Sequence, residues 1–292
     1  VCGAPGKVCA AGRVHSVDEL TYITNKIISD YFFEYDAKRT ARLAYESLLK
    51  EVQTTPKPGL VDCRNNGSHC DMNVDTFILS ANSLFPYFLN CFKIGCKNSH
   101  IPPKDVFLLL RNEGLNAEKT MYSVTGGVNT HKGIIFSMGV ICASIGRLWS
   151  ADKPYRSINE ILSLCAEFTL DSVKSDFQNT DTSTAGLELF LKYGITGIRG
   201  EVSNGFPSIL NIAYPAYEKA LSSGLSENDA GVLTLLTLIQ NIKDTNLYHR
   251  GGADGAKLAS DLARELLNLR EGFSIKQVEK LDDLFIEKNW SP

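Results

Sequence analysis

The sequence has no apolar run long enough to cross a bilayer and no secretory signal pattern. It also lacks any long alternation of apolar and polar residues and any internal repeat of about 20 to 50 residues. A membrane-spanning protein, a β-sheet protein and a repeat array are therefore excluded. Acidic and basic residues nearly balance, 33 against 30, and the net charge of −3 gives no general attraction to nucleic acid. We expect neither a membrane nor a nucleic acid as partner.

Paired cysteine spacings are missing too, although the chain of 292 residues has eight cysteines. They are scattered, without the spacing of a zinc site or of a small disulfide framework. We therefore expect reduced thiols in a cytoplasmic protein. A Walker A sequence is absent as well, and the lack of an adjacent His-Asp pair argues against a histidine-aspartate hydrolase.

What is present is a series of apolar residues at helical spacing. Ser16 followed by Glu19 has the pattern of a capping box, and residues 132–148 are apolar nearly all round, which predicts a buried helix. The predicted helices cover residues 16–31, 36–52, 75–92, 104–121, 132–148, 157–175, 184–192, 207–222, 227–242, 251–269 and 274–288. We expect an all-α fold, a single bundle domain of about ten helices whose polar inter-helix loops form the active-site cleft.

The longest stretch between predicted helices, residues 54–77, is rich in groups that can do chemistry. Two prolines and two glycines oppose regular structure there. A long loop in a compact domain is usually functional or disordered, and its apolar residues can tether this one to a core. We interpret it as part of a site, with candidate side chains at Lys57, Asp62, Arg64, Asn65, Asn66, His69, Asp71 and Asp75.

A second polar segment, residues 125–133, lies directly before the buried helix. Its two glycines, with His131 and Lys132 at a helix N-terminus, suit a phosphate cradle. An ordinary helix start is the alternative. Glu118 lies shortly upstream and could point into the same cleft, although a lone glutamate on a helix is most often solvated.

Two more polar segments follow later in the chain. Residues 197–207 place Arg199 and Glu201 between glycines, which suits recognition of an anion or a hydroxyl, or simply a surface turn. Residues 243–252 combine a carboxylate, an amide, an imidazole and a guanidinium ahead of a Gly-Gly pair. This composition suits metal and phosphate binding, or a capped helix junction.

Taken together, the segments favour a site for Mg²⁺ and phosphate groups. Mg²⁺ prefers oxygen ligands and bridges substrate phosphates, and basic side chains face phosphate oxygens. The carboxylates available are Asp62, Asp71, Asp75, Glu118 and Asp244. The cations available are Lys57, Arg64, Lys132, Arg199 and Arg250.

These segments resemble one family, the triphosphoribosyl-dephospho-CoA synthases, which make the prosthetic-group precursor of citrate lyase. The matching stretches occur in order over about 200 residues. They are residues 51–62 (EVQTTPKPGLVD), 65–72 (NNGSHCDM), 111–118 (RNEGLNAE), 125–133 (TGGVNTHKG), 199–201 (RGE) and 244–251 (DTNLYHRG). The chain departs from the family pattern at Asn73, where a further acidic residue is expected.

The resemblance implies a reaction between ATP and 3′-dephospho-CoA. The N-glycosidic bond of ATP breaks, adenine leaves, and the ribose C1′ joins the 2′-hydroxyl of dephospho-CoA in an α-glycosidic link. Because ATP is a β-glycoside, a single inverting displacement is the simplest hypothesis. By analogy with glycoside hydrolysis, it needs a carboxylate for the acceptor proton and a donor for the leaving base.

On this resemblance we predict three sets of site residues. The Mg²⁺ ligands are Asp62, Asp71, Asp75 and Asp244. The substrate and phosphate contacts are Lys57, Arg64, Asn65, Asn66, His69, Thr125, Asn129, Lys132, Arg199, Asn246, His249 and Arg250. The catalytic candidates are Glu51, Glu118, Glu201 and His131, and the sequence does not rank the three glutamates as general base.

The first residues form a segment of their own. Residues 2–10 (CGAPGKVCA) and 15–20 (HSVDEL) resemble the C-terminal tail of the companion transferase, which attaches the prosthetic group to the citrate lyase acyl carrier protein. We therefore divide the chain into a tail, residues 1–32, and an all-α synthase domain, residues 33–292. This division predicts a bifunctional fusion and a product that passes to the companion transferase.

Other functions fit the same polar groups. An all-α, Mg²⁺-dependent nucleotide phosphohydrolase would release phosphate from ATP, whereas the transferase releases adenine. A nucleotide-binding module would bind ATP without consuming it. A homologue that serves a malonate decarboxylase would use the same site residues, and the citrate-type tail argues mildly against it.

Overall fold

Every regular element in the described part of the chain is helical, which confirms the predicted all-α fold. The computed structural model describes residues 3, 5–153, 156–178, 185–269, 272 and 274–292. Val1, Cys2 and Thr184, which belong to the predicted tail and to a predicted helix, lie outside these residues. The α-helices in the described ranges are α1 (Gly6–Gly12), α2 (Val17–Gln53), α3 (Val74–Lys97), α4 (Pro103–Val124), α5 (Lys132–Leu148), α6 (Ile158–Gln178), α7 (Ala185–Tyr193), α8 (Gly197–Ser203), α9 (Tyr214–Ser222), α10 (Glu227–Asn241), α11 (Thr245–Leu267) and α12 (Ile275–Glu287).

Helix α2 begins as predicted but runs much further. The Ser16 side chain accepts a hydrogen bond from the Glu19 backbone N–H (3.1 Å), and the Glu19 carboxylate accepts one from the Ser16 N–H (2.9 Å), which completes the capping box. The two helices predicted for residues 16–52 are one continuous helix. No glycine or proline occurs between residues 31 and 36, so nothing interrupts the backbone hydrogen bonds there. The predicted boundary at residue 32 falls inside this helix.

Helices α3 and α5 lie at the centre of the larger hydrophobic core. Their backbones approach closely at two glycines: a Cβ on Gly95 would lie 1.9 Å from the Ala143 carbonyl oxygen, and one on Gly146 would lie 2.0 Å from that of Phe92. Phe88 and Phe92 on α3 are fully buried beside these contacts. Helices α2, α4 and α6 complete the core, whose buried side chains include Leu48, Phe107, Met121, Ile135 and Phe168.

A second, smaller core joins α10, α11 and α12. Val232, Leu236, Leu247 and Phe285 are buried in it, together with Trp290 beyond the end of α12. None of the helices in the described residues is long and apolar enough to span a membrane.

Two predicted loops are helical instead. Residues 197–203 form α8, with Thr196 as the residue before its first turn. Because Gly200 has no Cβ, the Thr196 side chain can lie against it; a Cβ on Gly200 would come within 1.8 Å of the Thr196 hydroxyl oxygen. Residues 245–250 form the first turns of α11, which bends at Gly252 (φ 65°, ψ −169°). The predicted helix over residues 207–222 contains a short π-helical turn, Ile209–Ala213, ahead of α9. Helix α1 was not predicted.

Candidate active site

A cleft of about 640 Å³ lies where α11 of the smaller core faces α4, α5 and α6 of the larger one. Helices α7 and α8 close it from a third side. It brings together residues from three separate polar segments and from the 111–118 stretch. The predicted site residues that line it are Glu118, Asn129, Lys132, Arg199, Asn246 and His249.

One wall of the cleft carries an ion pair between α4 and α5. The Lys132 ammonium lies 3.2 Å from the Glu118 carboxylate. Lys132 is the first residue of α5, and the Asn129 side-chain oxygen accepts a hydrogen bond from its backbone N–H (3.2 Å). The turn ahead of α5 needs positive φ at Gly126 and Gly127 (66° and 91°), which glycine adopts freely. These features place a cation at a helix N-terminus, the arrangement expected for anion binding.

A second charged group was not predicted from the sequence. Asp176 on α6 lies 3.7 Å from the Arg199 guanidinium and 3.9 Å from that of Arg111, and all three line the cleft. Asp176 lies in an ordinary amphipathic helix without flanking glycines, so no local pattern marked it. Two guanidinium groups and one ammonium thus face a space that also contains two carboxylates.

The first turns of α11 supply the remaining polar groups. Asp244 is the N-cap: its carboxylate accepts hydrogen bonds from the backbone N–H groups of Asn246 and Leu247, both at 2.8 Å. Burial raises the pKa of Asp244, and these two hydrogen bonds oppose the shift. The cap fixes the turn from which Asn246 and His249 reach the cleft.

The rest of the lining is largely apolar. Phe107, Phe136 and Phe177 contribute aromatic rings, and leucine, isoleucine and valine side chains fill the space between them. A cleft lined by both charged groups and aromatic rings can hold a phosphate chain and a flat base together.

Two predicted residues near the cleft support its walls. Burial lowers the pKa of His131 to about 4, and its Nδ1 lies 2.7 Å from the Ser80 hydroxyl while its ring meets Phe77 edge-on. The Thr125 hydroxyl contacts the carbonyl oxygens of Met121 (2.8 Å) and Val128 (2.7 Å). Neither residue is part of the cleft lining.

The long loop after α2 is organised around Asp62. This carboxylate is buried and accepts hydrogen bonds from the Thr55 hydroxyl (2.9 Å) and from the backbone N–H groups of Lys57 (2.7 Å), Arg64 (2.7 Å) and Asn65 (3.1 Å). Both of its oxygens are occupied, so in this structure Asp62 holds the loop in shape.

The cations of this loop are also paired within the protein. Lys57 is buried and its ammonium bonds to the Glu51 carboxylate and to the Glu51 carbonyl oxygen (2.8 Å). Arg64 pairs with the carboxylates of Asp282 and of Asp283 (2.7 Å) on α12. The buried Asp282 also accepts hydrogen bonds from the Asn65 side chain (2.8 Å) and from the backbone of Gly59 (2.9 Å).

The remaining predicted residues lie apart from the cleft lining. Glu201 accepts hydrogen bonds from the backbone N–H (3.1 Å) and hydroxyl (2.7 Å) of Ser208. Arg250 donates a hydrogen bond to the carbonyl oxygen of Ser68 (2.9 Å). The pKa of His69 is lowered, mainly by burial and secondly by the charge of Arg250.

Three further predicted site residues, Asn66, Asp71 and Asp75, are exposed. Asn73, the departure from the family pattern, caps α3 through a hydrogen bond from the Thr76 N–H (2.9 Å).

The predicted Mg²⁺ ligands do not form a ready-made site. In the ranges that the structure describes, no three His, Cys, Asp or Glu side chains are arranged to hold a metal ion. Both carboxylate oxygens of Asp62 accept hydrogen bonds from the loop, whereas only one oxygen of Asp244 accepts the hydrogen bonds of the N-cap. A resident ion held by these four carboxylates does not fit the geometry, and their metal-binding roles stay predictions.

Comparison with known proteins identifies the family of the chain. The profile of the family described as CitG: ATP:dephospho-CoA triphosphoribosyl transferase matches residues 37–292. Protein CitXG of Haemophilus influenzae is 37% identical over 303 residues, which cover 100% of this chain and 64% of CitXG. The chain thus spans just under two thirds of that relative.

Two relatives have lengths closer to this chain. A probable 2-(5''-triphosphoribosyl)-3'-dephosphocoenzyme-A synthase of Vibrio cholerae is 38% identical over 257 residues, 86% of this chain and 82% of the relative. The 2-(5''-triphosphoribosyl)-3'-dephosphocoenzyme-A synthase of Haemophilus ducreyi is 34% identical over 316 residues, 100% of this chain and 94% of the relative. No solved structure matches the chain. With a family match over nearly its whole length, the chain belongs to the CitG family of ATP:dephospho-CoA triphosphoribosyl transferases.

Proposed function

We propose that the chain transfers the triphosphoribosyl group of ATP to the 2′-hydroxyl of 3′-dephospho-CoA and releases adenine. The observation that carries this proposal is the cleft, which is lined by three cations, two carboxylates and three phenylalanine rings. The family match over residues 37–292 supports the same reaction. Phosphohydrolysis of ATP would need the charged wall but no pocket for a second, largely organic substrate.

The charged wall is where we place the triphosphate of ATP. Arg111, Lys132 and Arg199 are each about half exposed, and each lies near a carboxylate that also lines the cleft. Arg111 in addition donates a hydrogen bond to the Ser172 hydroxyl (2.9 Å). Guanidinium groups bind phosphate oxygens in a forked geometry, and the N-terminus of α5 adds backbone N–H groups. Adenine or the pantetheine arm of dephospho-CoA would then face Phe107, Phe136 and Phe177.

Glu118 is the glutamate that we propose as the general base. It lines the cleft, whereas Glu201 is bonded to Ser208 and Glu51 to Lys57, away from the cleft lining. When the triphosphate engages Lys132, the Glu118 carboxylate loses its partner and can accept a proton from the 2′-hydroxyl. The oxygen of that hydroxyl bonds to C1′, the C1′–N9 bond breaks with its electron pair on adenine, and adenine takes up a proton.

His249 is our candidate for assisting the departure of adenine. It lines the cleft, as Glu118 does, and lies on the capped first turns of α11; an imidazole can donate a hydrogen bond to a ring nitrogen of the base. Asn246 on the same helix can orient a substrate hydroxyl or phosphate. The other predicted contacts, Asn65, Asn66, His69 and Arg250, would act through the loop that supports α11.

We propose that Mg²⁺ enters bound to the phosphates of ATP. Mg²⁺ usually keeps several waters and takes only one or two protein carboxylates beside substrate phosphates, so it does not need the four-carboxylate site. We assign no bond-making step to it.

We also propose a cellular location for the chain and a destination for its product. The free thiols of Cys63, Cys70, Cys91, Cys96, Cys142 and Cys165 support a cytoplasmic protein. The likeness to CitXG over the whole chain supports a product that passes to the companion transferase of citrate lyase, and residues 1–36 lie outside the CitG match.

The reaction can be tested with ATP, dephospho-CoA and Mg²⁺ by separating the products chromatographically. We expect free adenine that appears only when dephospho-CoA is present. ADP or inorganic phosphate without adenine would indicate the phosphohydrolase instead, and binding of ATP without any consumption would indicate a nucleotide-binding module.

A further inference from the structure

The C-terminal residues fold back onto the long loop and onto α11. After α12 the chain reverses at Asn289 (φ 56°), and the Trp290 N–H donates a hydrogen bond to the Phe285 carbonyl oxygen (2.8 Å). Trp290 and Ser291 are only 6% and 2% exposed. We call residues 288–291 the C-terminal anchor.

The anchor is bonded to the loop on one side. The Trp290 carbonyl oxygen accepts a hydrogen bond from the Ser68 hydroxyl (2.5 Å), and the Ser291 hydroxyl lies 3.0 Å from Nε2 of His69. A Cβ on Gly59 (φ 72°) would lie 2.1 Å from the Trp290 carbonyl oxygen, so only glycine allows this approach. The loop and the anchor therefore form one rigid support.

The other side of the anchor packs against α11. The Trp290 indole lies over Gly251 and Gly255, where added Cβ atoms would come within 2.7 Å and 3.1 Å of its nitrogen. Arg250 donates hydrogen bonds to the Asn289 side-chain oxygen (2.9 Å) and to the Ser68 carbonyl oxygen (2.9 Å). Two glycines and one arginine of α11 are thus fitted to the anchor.

The same short segment of α11 supplies the cleft. His249 lines the cleft and its neighbour Arg250 reaches the anchor. Gly252 interrupts the helical conformation immediately afterwards, so the rest of α11 does not by itself fix the direction of residues 245–251. Contacts from outside α11 hold them instead: the Asp244 cap and the buried Leu247 fix the first turn, and the anchor holds residues 250 and 251.

We infer that the C-terminal anchor is a positioning element for the reaction, which holds Asn246 and His249 against the substrate. This inference rests on the proposed function. None of residues 288–291 lines the cleft, so the anchor acts through α11 and not by touching substrate.

Trp290→Ala and Trp290→Phe in the full chain test the inference. We expect Trp290→Ala to lower kcat/KM about tenfold, through a lower kcat as His249 shifts and a higher KM for ATP as Asn246 shifts. Trp290→Phe should recover part of the loss because its ring still covers the glycines. Amide hydrogen exchange should become faster in residues 245–251 and stay unchanged in α5. Leu48→Ala, which opens the distant core of α2, is the matched control and should leave KM unchanged.

Three results would overturn the inference. One is a Trp290→Ala protein with unchanged kcat, KM and exchange; another is Leu48→Ala raising KM as much as Trp290→Ala does. If Trp290→Ala fails to fold, Ser68→Ala and Trp290→Phe replace it, and normal KM and exchange in both would be the third. A wild-type chain that releases no adenine would defeat the proposed function, whereas the exchange comparison would still decide whether the anchor holds α11.

Discussion

Glu118 and Lys132 lie 3.2 Å apart on two different helices, and both face the cleft. Without substrate the carboxylate neutralises the ammonium. A triphosphate brought to Lys132 would compete for that ammonium and release the carboxylate. The pairing thus links occupation of the phosphate site to the availability of the base, and it leads to the first prediction.

Glu118→Gln should lower the rate of adenine release by about 10² to 10⁴, the usual contribution of a general base. ATP should bind as well as before or better, because Lys132 no longer has a carboxylate partner. Adenine release and ATP titration calorimetry measure the two effects. Glu167→Gln changes an exposed glutamate on α6 and serves as control; a loss of ATP binding in Glu118→Gln would contradict the assigned role.

Asp176→Asn should strengthen ATP binding a few-fold at low ionic strength. The substitution removes a carboxylate that lies 3.7 Å from Arg199 and 3.9 Å from Arg111, so the phosphates no longer compete with it. The effect should shrink at high salt, because partly exposed charges are screened. Asp171→Asn, an exposed change on the same helix, should do neither. Weaker binding in Asp176→Asn at every salt concentration would refute this interpretation.

Asp282→Ala should lower the free energy of unfolding by about 1 to 3 kcal/mol for each buried polar group left unpaired, namely the Gly59 N–H and the Asn65 side-chain amide. Asp282 is fully buried and is bonded to Arg64, Asn65 and the Gly59 backbone. Urea unfolding measures the loss. Asp283→Ala removes the exposed partner of the same arginine and should cost only about 0 to 1 kcal/mol. Equal losses in the two variants would show that burial of Asp282 does not matter.

Acid should destabilise the fold through His131. Burial lowers its pKa to about 4, from an ordinary value of 6.5. Between these values the unfolded chain binds a proton that the folded chain does not, so stability falls as the pH falls, by about 1.4 kcal/mol per pH unit. This contribution should disappear in His131→Gln.

The free energy of unfolding of wild type, His131→Gln and His100→Gln, measured between pH 7 and pH 4, provides the comparison. His100 is exposed, and its replacement should leave the slope of the wild type. A slope in His131→Gln equal to that of the wild type would show that His131 is not held neutral by the fold.

Local patterns predicted the helices well where their ends are marked. The Ser16–Glu19 capping box was predicted and is present, and α5 has the predicted bounds. Gly197 and Gly200 indicated a loop, but they allow α8 to pack closely instead. A glycine permits a turn or a close approach, and only the neighbouring structure decides which one occurs.

The candidate site was predicted only in part, because local patterns do not show which side chains the fold brings together. The glycine-flanked segments around Lys132, Arg199 and His249 were recognised and do meet in the cleft. Arg64 has the same local appearance, yet it is paired with Asp282, more than 200 positions along the chain. No local sequence pattern indicated Asp176, which lines the cleft because of the way α6 packs against the other helices. Such long-range pairings depend on the fold, so spacing along the sequence does not reveal them.

The mass of the dephospho-CoA product tests the central claim most directly. The account predicts that dephospho-CoA gains the mass of ATP minus that of adenine, with all three phosphates retained and one adenine released for each product formed. A dephospho-CoA of unchanged mass beside ADP or phosphate, or an adduct that still contains adenine, would contradict it.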